Sequence, residues 1–164
     1  MTVTKAPQIF SSPEAVSSLL SGLLGRAVGA KRAPTPISVM LPAFVAAYQR
    51  DDSTPVGLCI CDLSLAANLA ACLSLIPPAQ AVDAVRARKL PQSLDENFHE
   101  VLNICTQFFQ AEHRITLGKV SALPGNLPKD ILAIMLHPAA AIELEISVPS
   151  YMGGRMSLRS TVAL

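Results

Sequence analysis

The sequence predicts an α+β domain, with helices packed on an antiparallel β-sheet. Three observations carry that reading. Apolar residues recur at helical spacing through much of the first two thirds of the chain; from Arg114 onward the spacing falls to every second residue; and the alternating runs keep one polar side, as antiparallel strands with one wet face do. At 164 residues, with no low-complexity linker, the chain is long enough for one full core and short for two. Residues 1 to 10 are therefore read as an N-terminal tail and 11 to 164 as a single domain.

Each element has its own signal. Ser12 reads as an N-cap and Pro13 as the first residue of a helix that places Val16, Leu19, Leu20, Leu23 and Leu24 at helical spacing. "TPISVMLPAFVAAYQ" and "TPVGLCICDL", separated by the polar turn "RDDSTP", read as the strands of a hairpin. "SLAANLAACLSLI" is an alanine-rich second helix, capped by Ser64 and stopped by Pro77 and Pro78. A short third helix covers "AQAVDAVRARKL". The fourth and longest is "LDENFHEVLNICTQFF", with Ser93 as N-cap and Asp95 and Glu96 in the first turn, where the helix dipole favours negative charge. Four strands follow: "RITLGKVSAL", "DILAIMLHP", "AIELEISVP" and "GGRMSLRSTVAL". The third sets Ile142, Leu144, Ile146 and Val148 against Glu143, Glu145 and Ser147, and the glycines of "PSYMGG" suit a hairpin turn before the last. The helices are expected on one face of this sheet.

Composition narrows the function. With 51% apolar and 15% charged residues, five Phe, two Tyr and no Trp, the chain is a core-former and not a disordered segment. A formal charge of +1, with "AKR" and "RARK" as the only basic clusters, gives no field for nucleic-acid phosphates, and "RARK" reads as a solvated face near a helix end. The most apolar stretch, "VGLCICDLSLAANLAACLSLIPP", is interrupted by Asp62 and Asn68 and falls short of the roughly 18 uninterrupted apolar residues of a membrane span. The N-terminus has Pro13 and Glu14 where a signal core would lie, so no membrane association and a cytoplasmic location are expected. Cys59, Cys61, Cys72 and Cys105 lack metal-ligand spacing and read as buried free thiols. His113 and His137 read as a helix-end and a strand-end residue. A phosphate-cradling glycine loop, a Gly-x-Ser-x-Gly elbow and a His-x-x-x-His pair are all missing from the sequence.

The fourth helix carries the chemistry worth weighing. On a wheel of about 100° per residue, Leu94, Phe98, Val101, Leu102, Cys105, Phe108 and Phe109 share an arc of roughly 120°, which must face the sheet. Glu96, Glu100, Asn103 and Gln107 fall within roughly 60° on the opposite side, so a carboxylate and a carboxamide stand one turn apart, facing outward. By itself a Glu-x-x-Asn pair is also what the wet side of any amphipathic helix can present.

The context of this pair resembles the CheC/CheX/FliY family of chemotaxis phosphatases, and more closely its CheX branch, which has a single active helix. The family's motif is an Asp or Ser, three residues, a Glu, two residues, an Asn, and a proline some twenty residues on. Here Glu100 and Asn103 match, Pro124 follows Asn103 after twenty intervening residues, and Glu96 stands where Asp or Ser is usual. "GLCICDLSLAANLAACLSLIP" looks like the family's strand running into a helix, and "IELEISVPSYMGGRMSLR" like its closing hairpin. The resemblance covers roughly residues 35 to 160.

The resemblance implies a CheX-like fold and, as substrate, the aspartyl phosphate of a response-regulator receiver domain such as CheY. Asn103 would orient the attacking water and Glu100 would pair with the regulator's active-site lysine, making these two the catalytic pair, with Glu96 and Gln107 at the partner surface. The chain would hold no cofactor; the magnesium ion would be carried by the regulator. A homodimer is expected too, because a strand as apolar as "DILAIMLHP" is hazardous as an open edge, and the resemblance points the same way. Two other readings compete: a non-catalytic CheX-like module that docks a receiver domain or dimerises, and a structural protein with an unrelated α+β fold.

Overall fold

The first helix begins at its sequence signal. Ser12 is extended and its Oγ accepts from the Ala15 N–H at 3.1 Å, with Pro13 in the first turn, so α1 spans Pro13–Leu24. Gly25 closes it at φ 65°, in the left-handed region that favours glycine. The computed structural model describes residues 12–110 and 113–162; the tail expected at 1–10 lies outside them. After α1 come β1 (Gly29–Arg32), β2 (Ala43–Gln49), β3 (Pro55–Asp62), α2 (Leu63–Leu73), α3 (Pro78–Ala87) and α4 (Gln92–Ile104). A 3-10 turn (Cys105–Phe108), β4 (Thr116–Leu123), α5 (Lys129–Leu136), β5 (Ala140–Ser147) and β6 (Gly154–Ser160) complete the described residues. The strands form one six-stranded sheet in the order β1-β5-β6-β3-β2-β4, antiparallel at every pairing, and the fold is α+β.

The sheet is covered on both faces, not on one. Alternation divides β2 and β3 between two cores: Tyr48, Cys59 and Cys61 pack under α1, α2, α3 and α4, while Val45, Leu58 and Ile60 pack under α5. The larger core is built from Val16 and Leu20 of α1, Leu65 and Leu69 of α2, and Leu94, Phe98 and Leu102 of α4, all fully or almost fully buried. That core fixes α4, and with it the outward stripe.

The segment "DILAIMLHP" is a helix, not a strand. Pro128 precedes it, the Asp130 carboxylate accepts from the Ile131 N–H at 2.8 Å, and Ile131, Ile134 and Met135 are buried at helical spacing while Leu132 and Leu136 stay exposed. The sheet's edges are instead β1 and β4, so the apolar-edge reason for expecting a homodimer falls away. β1 had no sequence signal of its own; four residues acquire strand geometry by pairing with β5, Gly29 opposite Ser147 through Arg32 opposite Leu144. His137 consequently caps α5, its N–H bonded to the Ala133 carbonyl at 2.9 Å, and does not end a strand.

Two helix starts also move. The cap of α2 is Asp62, whose Oδ1 accepts from the Leu65 N–H at 2.8 Å; Ser64 lies inside the helix and donates to the Gly153 carbonyl at 2.7 Å. α4 starts two residues earlier than its serine suggests, with Pro91 at the cap position and Ser93 already helical. Between β5 and β6 the left-handed residue is Ser150, at φ 69°. Gly154 serves a different need there: a Cβ on it would collide with the Asp62 carboxylate and the start of α2, so it lets β6 run against the α2 cap.

Candidate functional site

α4 is held on its inner side by aromatic and amide contacts. Phe98 packs against Phe44 of β2 with ring centroids 5.4 Å apart, and the Asn97 amide donates to the Ala70 carbonyl at 3.0 Å and the Ser74 hydroxyl at 2.8 Å, fastening α4 to the end of α2. With Leu94, Phe98, Val101 and Leu102 facing in, helical period leaves Glu96, Glu100 and Asn103 facing out, and all three are exposed.

Those three are not equivalent. Glu96 accepts from the Gln92 amide one turn earlier at 3.0 Å, and Asp95 stands 3.9 Å from His99. Glu100 and Asn103 make no side-chain hydrogen bond or ion pair among the described residues. They lie one turn apart with their acceptor and donor atoms in water, available to a partner. Gln107 is exposed as well, but it sits in the 3-10 turn beyond α4, so the 100° step that aligned it with Asn103 does not apply there.

The end of α4 is anchored by residues that the stripe alone does not reveal. The Tyr48 hydroxyl, reaching up from β2, donates to the Leu102 carbonyl at 2.7 Å, and the Thr106 hydroxyl donates to the Asn103 carbonyl at 2.6 Å. Helix-terminal carbonyls need such donors because their i+4 partners are lost. Tyr48 is fully buried and stacks on Phe109 with centroids 4.6 Å apart. Burial, and then the neighbouring Cys105, Cys59 and Cys61 thiols, hold its phenol well above the usual value, so it stays protonated and donating. All four cysteines are free and buried; hydrogen bonding to Cys59 and burial push the Cys105 thiol up. The only sequence sign of this anchor is a tyrosine in an otherwise apolar strand, whose hydroxyl must find a partner.

No protein-family model matches the sequence, and no curated protein is significantly similar to it. Solved structures are similar. A chain of the FliM–SpeE complex from H. pylori superposes with a TM-score of 0.59 at 11% identity, over 90% of this chain and 80% of that one. FliY from Thermotoga maritima gives 0.58 at 14%, over 88% and 81%, and the FliM middle domain from H. pylori 0.53 at 12%, over 90% and 84%. The fold is that of FliM and FliY. The likeness to FliY agrees with the resemblance read from "LDENFHEVLNICTQFF" and its flanking segments, and at this identity it concerns the fold.

One residue of the motif, Pro124, remains to be placed. Pro124 is exposed and lies just beyond the end of β4, the edge strand that α4 touches. His99 is half-buried beside Asp95, and His113 is exposed beyond the 3-10 turn. Among the described residues no group of three His, Cys, Asp or Glu could hold a metal ion, and no helix is long and apolar enough to cross a membrane.

Proposed function

We propose that this protein docks the receiver domain of a response regulator against α4 and hydrolyses its aspartyl phosphate. The observation that supports the reading most is the Glu100/Asn103 pair: exposed, one turn apart, without side-chain hydrogen bonds or ion pairs among the described residues, on a helix braced from beneath in a FliM/FliY fold. An acyl phosphate is already reactive, so catalysis needs little beyond a water held in line with phosphorus. The Asn103 carboxamide accepts from that water through its oxygen and donates to the phosphoryl group through its nitrogen. The water oxygen bonds to phosphorus, the phosphorus–oxygen bond to the regulator's aspartate breaks, and inorganic phosphate leaves with the aspartate carboxylate restored. Glu100 pairs with the regulator's lysine and sets the docking geometry; Glu96 and Gln107 border the contact. Magnesium belongs to the regulator's own site, and this chain contributes no ligand to it.

The test is to add the protein to receiver domains phosphorylated by a small phosphodonor and to follow inorganic phosphate release. Acceleration above the receiver's own rate is the expected result. Saturable binding without acceleration would make the protein a docking module instead, and neither binding nor acceleration across a panel of receivers would end the reading.

A further inference from the structure

His99 is the only histidine of α4, and helical spacing sets it beside Asn103. Residues four apart on a helix have their Cβ atoms within about 5–6 Å of each other. Helical side chains lean toward the N-terminus, so the Asn103 carboxamide lies over the turn that carries His99 and Glu100. At about 100° per residue, His99 stands about 40° to one side of Asn103 and Glu100 about 60° to the other. A water held by Asn103 is therefore flanked by an imidazole as well as by a carboxylate.

The imidazole has the surroundings of a proton acceptor. Its Nε2 is 3.9 Å from the Asp95 carboxylate one turn earlier, and its side chain is 45% exposed. With the Nε2 proton turned toward Asp95, the lone pair is on Nδ1, which makes no hydrogen bond among the described residues. Asp95 then fixes the tautomer and stabilises the imidazolium that forms when a proton arrives. Other charges near His99 are few. On α4 they are the carboxylates of Glu96 and Glu100; α2, β2 and the 3-10 turn, which pack on α4, carry no charged residue, and β4 carries only Lys119, which is exposed and makes no ion pair among the described residues. Asp83 and Lys89 line a cleft at Pro91, about two turns before His99.

From this arrangement we infer that His99 accepts the proton of the attacking water, an inference that rests on the phosphatase reading and adds a base to its Glu100/Asn103 pair. As the water oxygen bonds to phosphorus and the bond from phosphorus to the aspartate oxygen breaks, one water proton passes to Nδ1. The electron pair of the broken bond stays on the restored aspartate carboxylate, hydrogen phosphate leaves, and the imidazolium gives its proton to solvent before the next turnover. A positioned base contributes about 10²–10⁴-fold in general, and a leaving carboxylate, which needs no proton, puts its share here at or below the low end. Because histidine changes charge between about pH 5 and 8, the role has a pH signature: acceleration falls as His99 becomes protonated.

The experiment follows phosphate release from a phosphorylated receiver between about pH 5.5 and 8, subtracting the receiver's own rate at each pH. Acceleration by the wild type should fall toward acid pH. His99→Gln should lower it at neutral pH by about ten- to a hundredfold at saturating receiver and flatten the acid fall, with receiver affinity unchanged and circular dichroism confirming the fold at each pH. Asp95→Asn, which acts through the ring, should lower the saturated rate by a smaller factor and leave the half-saturating receiver concentration as it is. If His99→Gln keeps the wild-type rate and pH dependence, the inference is overturned while Glu100 and Asn103 retain their proposed roles. A His99→Gln defect confined to receiver affinity overturns it too, since His99 is then a docking contact. No acceleration by the wild type at any pH overturns the phosphatase reading and this inference with it.

Discussion

The Tyr48 hydroxyl donates to the Leu102 carbonyl at 2.7 Å, tying a strand of the sheet to the turn of α4 that carries Asn103. Replacing Tyr48 with Phe keeps the ring stacked on Phe109 and removes only the donor. The expected cost is about 1–2 kcal/mol in urea unfolding, the usual penalty for leaving a buried acceptor unpaired. Amide exchange over residues 103–108 should quicken while that of β5 and β6 does not change; uniform exchange across the chain would show that the bond has no local effect.

Asn103→Ala separates chemistry from folding. The side chain is exposed and makes no hydrogen bond among the described residues, and alanine has the higher helix propensity, so stability should stay within about 0.5 kcal/mol of the parent. In the proposed reaction this variant loses acceleration of receiver dephosphorylation while still binding the receiver. Unchanged phosphate release would reduce the pair to the wet side of a helix.

Glu100→Ala should act earlier, at docking. A charge contact made across an interface chiefly governs encounter and its salt dependence, so the variant should bind the receiver more weakly and show a flatter dependence on ionic strength. Titration at two salt concentrations decides it; an unaltered salt dependence would remove Glu100 from the interface.

The parts of this protein legible in its sequence are those whose pattern is local. The outward stripe of α4 follows from the spacing of Phe98, Val101 and Leu102, and the first helix from Ser12 and Pro13. "ILAIML" was illegible because a short apolar run fits a buried strand as well as a helix, and the breakers Pro128 and Asp130 at its start decided the matter. β1 has no pattern of its own and exists through its partner β5. Nor could local sequence connect Tyr48 with Leu102, fifty-four positions on, although that contact braces the turn bearing Asn103. Glu143 was expected on a wet face; the α5 side of the sheet and the Arg159 side chain from β6 cover most of it.

That pair makes a stability prediction. Glu143 accepts from the Arg159 guanidinium at 3.2 Å, from the Ser157 hydroxyl at 2.8 Å and from the Ile37 N–H at 3.1 Å, and Arg159 also donates to the Met135 carbonyl at the end of α5. With side-chain exposures of 11% for Arg159 and 16% for Glu143, Glu143→Ala leaves a nearly buried cation unpaired and should cost about 3–5 kcal/mol. Glu143→Leu combined with Arg159→Met should recover a large part of that loss in urea unfolding. If the double variant is as unstable as the single one, the packing of these side chains matters and their charge does not.

Asp62 provides the pH-dependent prediction. Its two carboxylate oxygens accept from the Leu65 N–H at 2.8 Å and the Arg155 N–H at 3.0 Å, joining the cap of α2 to the start of β6. Burial nevertheless raises its pKa above the ordinary 3.8, the two backbone donors only partly opposing the shift. A carboxyl with a raised folded-state pKa binds its proton more tightly folded than unfolded. Its contribution is therefore fully present below the ordinary value and is lost as pH rises through the folded pKa. Asp62→Asn has no proton to bind, and its NH2 faces the Arg155 N–H without accepting from it. The unfolding free energy of the wild type relative to Asp62→Asn should accordingly be greatest below about pH 3.8, decline through the folded pKa, and level off toward neutrality. Urea unfolding of both proteins at several pH values measures that difference, and a flat or rising difference would show that the two N–H donors outweigh burial at this cap.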